Sequence, residues 1–193
     1  DGDTIVVGSP GESSAATGVG GDQGNTTAPE AGAVYIFSRA GNVWTQSAYV
    51  KPAFTTAYAL FGAAVAISGN TIAVGAPREC GAATGVNGDA TSVPRIFTGA
   101  AYVFTRTSGV IVQQAYVKAS YLHDDDRFGS ALALEGEEVV LDEQGGLGEG
   151  LLAELAVTLD RLAAVGPRVG SVAARAVATV VGGTGSAVRR LLG

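Results

Sequence analysis

Apolar and polar positions alternate with a period of two along most of this chain. In "AVAIS" (64–68), Ala64 and Ala66 fall on one face and Val65 and Ile67 on the other. After Gly69-Asn70 the alternation resumes, with Ile72 and Val74 flanking Ala73. Two short β-branched runs joined by a Gly/Asn pair predict a tight hairpin. A half-solvated hairpin would carry polar residues on its outer face. This one is apolar on both faces, so protein must stack on each side of it.

The same pattern predicts four strands in succession, at about 62–68, 71–76, 99–106 and 110–118. The third and fourth join through Thr107-Ser108-Gly109, and a long loop rich in Gly, Ala, Thr, Ser and Asp, roughly 78–98, separates the second from the third. This unit occurs more than once. "TIVVGSP" (4–10) returns as "TIAVGAP" (71–77), "TGVGGD" (17–22) as "TGVNGD" (84–89), and "GAVYIF" (32–37) as "GAAYVF" (99–104). "AYVK" (48–51) returns at 115–118 and "FG" (61–62) at 128–129. Every offset is 67, and residues 1–67 match 68–134 at 29 of 67 positions, far above chance. The chain holds copies of one unit, cut out of phase. Four antiparallel strands per copy, apolar on both faces, suit a propeller blade whose neighbours cover it. A β-solenoid is the alternative, but the period is too long for one coil.

Phe61-Gly62, then Gly75-Ala76-Pro77, then Gly99 to Phe104 together resemble the FG-GAP repeat of integrin α-subunit β-propellers, and more closely its bacterial, integrin-like version. The resemblance covers about 1–141 and implies blades of a seven-bladed, usually extracellular propeller that acts in adhesion or ligand binding. It also implies that Phe61 plugs the end of a blade. Gly62 and Gly75 would permit close backbone approach, and Pro77, lacking a backbone donor, would end the second strand. Many integrin-type repeats bind calcium in an acidic loop between the first two strands. Here that connection is only "SGN" (68–70), and Gly2-Asp3 stands at the equivalent place in the first copy. Neither can wrap an ion that takes about six to eight oxygens, so calcium is not carried over to this site and no metal ligand is assigned.

The fold expected is therefore all-β: a propeller fragment of two four-stranded blades plus the start of a third. Its parts are a partial blade at 1–60, a complete one at 61–127, the start of another at 128–141, and a tail at 142–193. The third copy begins with "RFGSALALEGEEVVL" but has Asp142-Glu143-Gln144 where Gly-Ala-Pro should follow. Beyond it the composition changes abruptly to Ala, Val, Leu, Gly and Arg. Leucines 151, 152, 155, 159 and 162 recur at helical spacing, so 147–165 is compatible with an amphipathic helix ended by Gly166-Pro167. The tail is either a natural, unrelated segment or a shifted reading frame.

Charge and composition narrow the partners. The formal charge is −6, and no basic stripe exists to neutralise phosphates, which argues against nucleic acid. Cys80, the single cysteine, excludes an internal disulfide and any Cys-rich metal site. No apolar run reaches the roughly 18 residues of a spanning helix. The opening "DGDTIVVG" lies inside a strand pattern and has no signal-peptide character, so the start reads as a cut.

Candidate chemistry is sparse. Asp124, Asp125 and Asp126 read as solvated loop charge, with a surface metal site as the alternative. Asp22 and Asp89, in "TGVxGD" of both copies, read as Asx turn caps, with a ligand-facing role open because loops carry binding. His123 beside Ser120 is no evidence of a catalytic constellation, and Cys80, whose counterpart is Ser13, reads as a small loop residue. Tyr35/Tyr102, Phe37/Phe104 and Tyr49/Tyr116 read as packing between blades. No catalytic residue and no cofactor is expected. The function expected is an extracellular or cell-surface, non-catalytic binding or adhesion module with a protein or glycan ligand, packed against the remaining blades of its parent chain. The alternative is a structural propeller portion of a larger secreted enzyme such as a hydrolase.

Overall fold

The computed structural model describes residues 1–92, 95–135 and 138–142, and these residues form strands and loops without a helix. The helical spacing of the tail lies outside the described residues. Strands β1 (Thr4–Ser9), β2 (Ala33–Ala40) and β3 (Val43–Val50) form a first sheet in that order. Strands β4 (Ala64–Ser68), β5 (Thr71–Ala76), β6 (Ala100–Thr107) and β7 (Val110–Val117) form a second. A third pairs β8 (Ala131–Glu135) with β9 (Glu138–Asp142). All strand pairings are antiparallel between consecutive strands; short links dictate this for β2–β3, β4–β5 and β6–β7, while the long loops join β1 to β2 and β5 to β6. The first sheet has three strands where the pattern predicted four, because only Asp1 of the segment equivalent to β4 is in the chain.

Local chemistry sets the hairpins. Thr107 pairs with Val110 across Ser108-Gly109, both left-handed at φ 51° and 81°, which matches the right-handed twist of the flanking strands. Ser68 pairs with Thr71 across Gly69-Asn70, so the expected turn is in place. Each complete β2–β3-type hairpin carries a bulge at the same point, between Ile36 and Phe37 and between Val103 and Phe104. Pro10 and Pro77 follow β1 and β5 directly, in tight turns closed by Glu12 N–H to Ser9 O and Glu79 N–H to Ala76 O, both 3.1 Å. Proline supplies the φ that the second position of such a turn needs.

Both faces of the second sheet are covered. Val65, Ile67, Ile72, Val74, Tyr102, Phe104 and Tyr116 point toward the first sheet, where they meet Val6, Val34, Ile36, Ala48 and Val50. On the opposite face Ala73, Ala101, Val103, Ala115 and Val117 pack with Phe128, Leu132 and Leu134 of the third copy. Small residues dominate where the inner strands meet. A Cβ on Gly8 would collide with the Gly62 carbonyl, and one on Gly75 with that of Gly129. The two seams are the same contact one copy apart, and their backbones approach too closely for any side chain.

Phe61 joins the sheets in two ways. Its N–H donates to Ala31 O at 3.0 Å, forming a parallel bridge beside Gly32 at the start of β2. Its ring is fully buried, edge-on to Tyr102 at 5.3 Å and Phe104 at 6.1 Å between centroids. Phe128 repeats the backbone bond, to Thr98 O at 3.1 Å, beside Gly99.

Two substitutions test this seam. Phe61→Ala removes a buried ring shared by two sheets and is expected to cost about 3–5 kcal/mol. Gly75→Ala must displace backbone and is expected to lower the denaturant midpoint at least as much. Val112→Ala, at a half-exposed site, should stay within about 0.5 kcal/mol. Equal midpoints for all three in urea unfolding would contradict the seam.

Candidate functional site

The long loops 11–31 and 78–98 leave the same end of their sheets as the connections from β3 to β4 and β7 to β8, so all four gather on one rim. Two constraints hold each long loop there. The first is an added bridge at the end of the outer strand: Val19 pairs with Val50 and Val86 with Val117. Lys51 N–H donates to Gly18 O and Lys118 N–H to Gly85 O, both 2.8 Å. The second is a buried ion pair.

Lys51 and Lys118 follow β3 and β7 directly, and both side chains are wholly buried. Lys51 Nζ donates to Glu12 Oε2 at 2.8 Å and to Gly32 O at 2.6 Å. Lys118 Nζ donates to Glu79 Oε2 at 2.6 Å and to Thr98 Oγ1 at 2.6 Å. The second carboxylate oxygen is also used: Glu12 Oε1 accepts from Ser14 N–H and Glu79 Oε1 from Gly81 N–H, each at 2.7 Å. Each carboxylate thus ties the start of its long loop to the end of the blade's outer strand. Burial pushes both ammonium groups below their ordinary value, and the paired carboxylates oppose that shift. The Tyr49 and Tyr116 hydroxyls lie near these carboxylates, buried and without a hydrogen-bond partner among the described residues. Burial, with the nearby Glu12 charge adding to it, pushes Tyr49 up to about 12. Tyr116 rises further, by burial and then by the Glu79 charge, and Tyr102 is raised in the same way.

None of these lysines or glutamates was singled out by pattern and spacing. The signal was present, since "AYVK" and the Glu after each Gly-x-Pro recur at the 67-residue offset. A lysine closing an apolar run usually snorkels to water, and only folding shows that this one cannot.

The residues that the sequence did single out fall as follows. Asp22 Oδ1 accepts from Gly24 N–H at 2.8 Å, and Asp89 Oδ1 from Thr91 N–H at 2.9 Å and Thr91 Oγ1 at 2.6 Å. Both are Asx turns, and the Thr91 hydroxyl and amide bonds hold the Asp89 carboxyl below its ordinary range. Asp125 pairs with Arg127 at 2.9 Å, Asp126 accepts from His123 N–H at 2.6 Å, and Asp124 is exposed. These three carboxylates therefore do not converge, and among the described residues no His/Cys/Asp/Glu group is arranged to hold a metal ion. His123 is half-exposed against Tyr121, with ring centroids 4.8 Å apart. Cys80 Sγ donates to Arg78 O at 3.2 Å, as Ser13 Oγ does to Gly11 O at 3.4 Å. Tyr49, Tyr102, Phe104 and Tyr116 are buried, while Tyr35 and Phe37 are half-buried on the outer face of the first sheet. Tyr35 packs on Tyr49 as Tyr102 does on Tyr116, each pair 5.3 Å apart.

Stacked antiparallel sheets repeating every 67 residues, each clasped to the last by Phe-Gly, define a repeat protein built from blade-like units. Residues 44–104 match the family model described as FG-GAP repeat, a span that runs from β3 across the Phe61 clasp to β6. The match covers about a third of the chain and marks an FG-GAP repeat there, and the described part is all-β, consistent with a partial integrin-like propeller. No curated protein matches it. Among the described residues no helix is long and apolar enough to cross a membrane.

Removing one member of a buried pair strands the other in the interior, at a cost of about 3–5 kcal/mol. Lys118→Met is therefore expected to destabilise by that amount in urea unfolding, and Lys118→Met with Glu79→Gln should recover part of it. No recovery in the double variant would mean that the pair is not coupled.

The tyrosines set the alkaline limit. A phenol whose folded pKa lies above the ordinary 10.0 stays neutral in the fold where the unfolded chain ionises. Its contribution is complete below about pH 10 and is lost as pH rises through about 12 for Tyr49. The lowered lysines act oppositely and gain stability up to 10.5. With four raised phenols, Tyr35, Tyr49, Tyr102 and Tyr116, against two lysines, stability is expected to fall above about pH 10. Tyrosinate absorbance from the buried rings should appear together with loss of the β-sheet circular dichroism signal, not before it.

Proposed function

We propose that the chain is part of a non-catalytic binding module, extracellular or on a cell surface, whose long-loop rim meets a protein or glycan ligand. One observation supports this reading above the others: the two copies build the same rim backbone and dress it with different side chains. Glu30 and Phe97 occupy equivalent positions at φ 50° and 49°, Tyr58 and Asp125 at 65° and 70°, and Leu60 and Arg127 at 57° and 52°. Tyr58 N–H donates to Pro29 O and Asp125 N–H to Ile96 O, at 2.7 and 2.8 Å. Asn25 and Ser92 accept the amides of Ala15 and Ala82 with unlike side chains.

The scaffold is held in place by the buried pairs and bridges, while the exposed positions are free to carry recognition. In the second copy the rim exposes Ile96 and Tyr121 at 60% and 64%, with Arg95 anchored to Leu122 O at 3.2 Å. Apolar side chains this exposed on a fixed backbone suit contact with another molecule. The second reading, a structural propeller portion of a larger secreted enzyme, uses the same scaffold and requires no rim contact.

Exchanging the loop centres 23–31 and 90–98 between copies separates the two readings. Folding should survive with some loss of stability, because most anchoring bonds are made by backbone or by either side chain; the exception is Thr98, whose Oγ1 accepts from Lys118 Nζ and whose counterpart is Ala31. Binding of the parent protein to its surface ligand, measured with the swapped and unswapped chains, should change several-fold. Unchanged binding would favour the structural reading, and loss of folding would show that the loop centres hold the sheets together.

A further inference from the structure

We propose that the outer edge of β7, from Val110 to Gln114, pairs antiparallel with the same segment of a second copy of this chain, joining two blades into one continuous sheet. β7 is the last strand of a complete four-stranded sheet, so its outer edge is a feature of the blade itself. Val43 and Val110 hold the equivalent place in the two copies and are each 62% exposed, although the whole second sheet stacks on the first. The exposure therefore belongs to the outer strand and does not depend on which neighbour lies beside it.

The edge already accepts chain along part of its length. Thr107 and Val110 close the hairpin, so along β7 every second residue from Ile111 turns its backbone bonds outward. Beyond the bulge these are Tyr116 and Lys118, and the long loop takes both. Asn87 N–H donates to Tyr116 O at 2.7 Å, Asn87 Oδ1 accepts from Tyr116 N–H at 2.9 Å, and Lys118 N–H donates to Gly85 O at 2.8 Å. Before the bulge they are Ile111 and Gln113, and no backbone group among the described residues bonds to them from outside the sheet. The window from Val110 to Gln114 lies open between a tight turn and a loop bridge.

Its sequence suits pairing with itself. It holds no charge and no proline, two of the devices by which edges resist pairing, and its bulge falls at its far end. A two-fold axis at Val112 sets Ile111 against Gln113 of the second copy, so that the outward groups of each meet and exchange both bonds. The same axis sets the half-exposed Val112 against its own equivalent, a favourable cross-strand pair. The corresponding window of β3 is guarded. There Thr45 stands at the centre, and the Arg39 guanidinium lies over Trp44, 5.3 Å from the ring centroid. Arg106, the counterpart of Arg39, is drawn off across the seam to Thr4 Oγ1 at 2.7 Å. Identical strands meeting about a two-fold give a closed dimer and no fibre. The window is short, so the contact falls below the roughly 1,200 Å² of stable complexes, and the dimer is weak and concentration-dependent.

Sedimentation equilibrium of the full chain over a wide concentration range tests this. A monomer–dimer equilibrium is expected, with amide exchange at Ile111 and Gln113 slowing as the dimer forms. Val112→Lys and Val112→Asp alter an exposed side chain, so each should keep the urea midpoint of the unaltered chain and stay monomeric, because like charges face each other across the axis. Mixed in equal amounts, the two variants should form a heterodimer about tenfold or more tighter than either forms alone. Thr45→Lys, at the equivalent place in β3, should dimerise as the unaltered chain does. A monomer at every concentration, a dimer of either charged variant alone, no heterodimer on mixing, or exchange protection away from the β7 window would each overturn the proposal.

Discussion

The structure depends on one contact made twice: a phenylalanine bonded by its backbone to one sheet and buried by its ring in the next. Phe61 takes the Ala31 carbonyl of the first copy and packs on Tyr102 and Phe104 of the second. The second sheet is apolar on both faces and cannot stand alone in water, so stacking is a condition of its folding and not an addition to it. The glycines that follow and face Phe61 and Phe128 let the inner strands meet backbone to backbone. Both sides of the second sheet are thereby closed, and its loops are brought to a common rim.

Holding that rim falls to the buried Lys–Glu pairs. An isolated ion pair in the interior contributes little net stability, because the desolvation of both charges offsets their attraction. What it supplies here is position. Glu12 and Glu79 each accept a loop amide as well as the lysine, so the loop's departure from the sheet is fixed by a group that no apolar residue of similar size could replace. The surrounding tyrosines keep water away from the pair, and their raised pKa values are the electrostatic consequence. Loop centres can then differ between copies without the loops losing their course, as Asn25 and Ser92 show by making the same bond.

Much of this was legible in the chain alone. Period-two alternation, Gly-Asn and Ser-Gly turns and a repeat without insertion determined the strands, their order and their hairpins, because those depend on neighbours a few residues apart. The doubly apolar hairpin at 64–76 demanded stacking before any partner was known. The Asx turns at Asp22 and Asp89 were equally local and equally readable. Tertiary structure alone decided which face of each sheet meets which, that Lys51 and Lys118 end inside the protein instead of in water, and that Glu12 and Glu79 wait for them 39 residues earlier. Those outcomes rest on burial and on contacts across many residues, and a sequence carries burial only as the sum of everything that packs around a side chain.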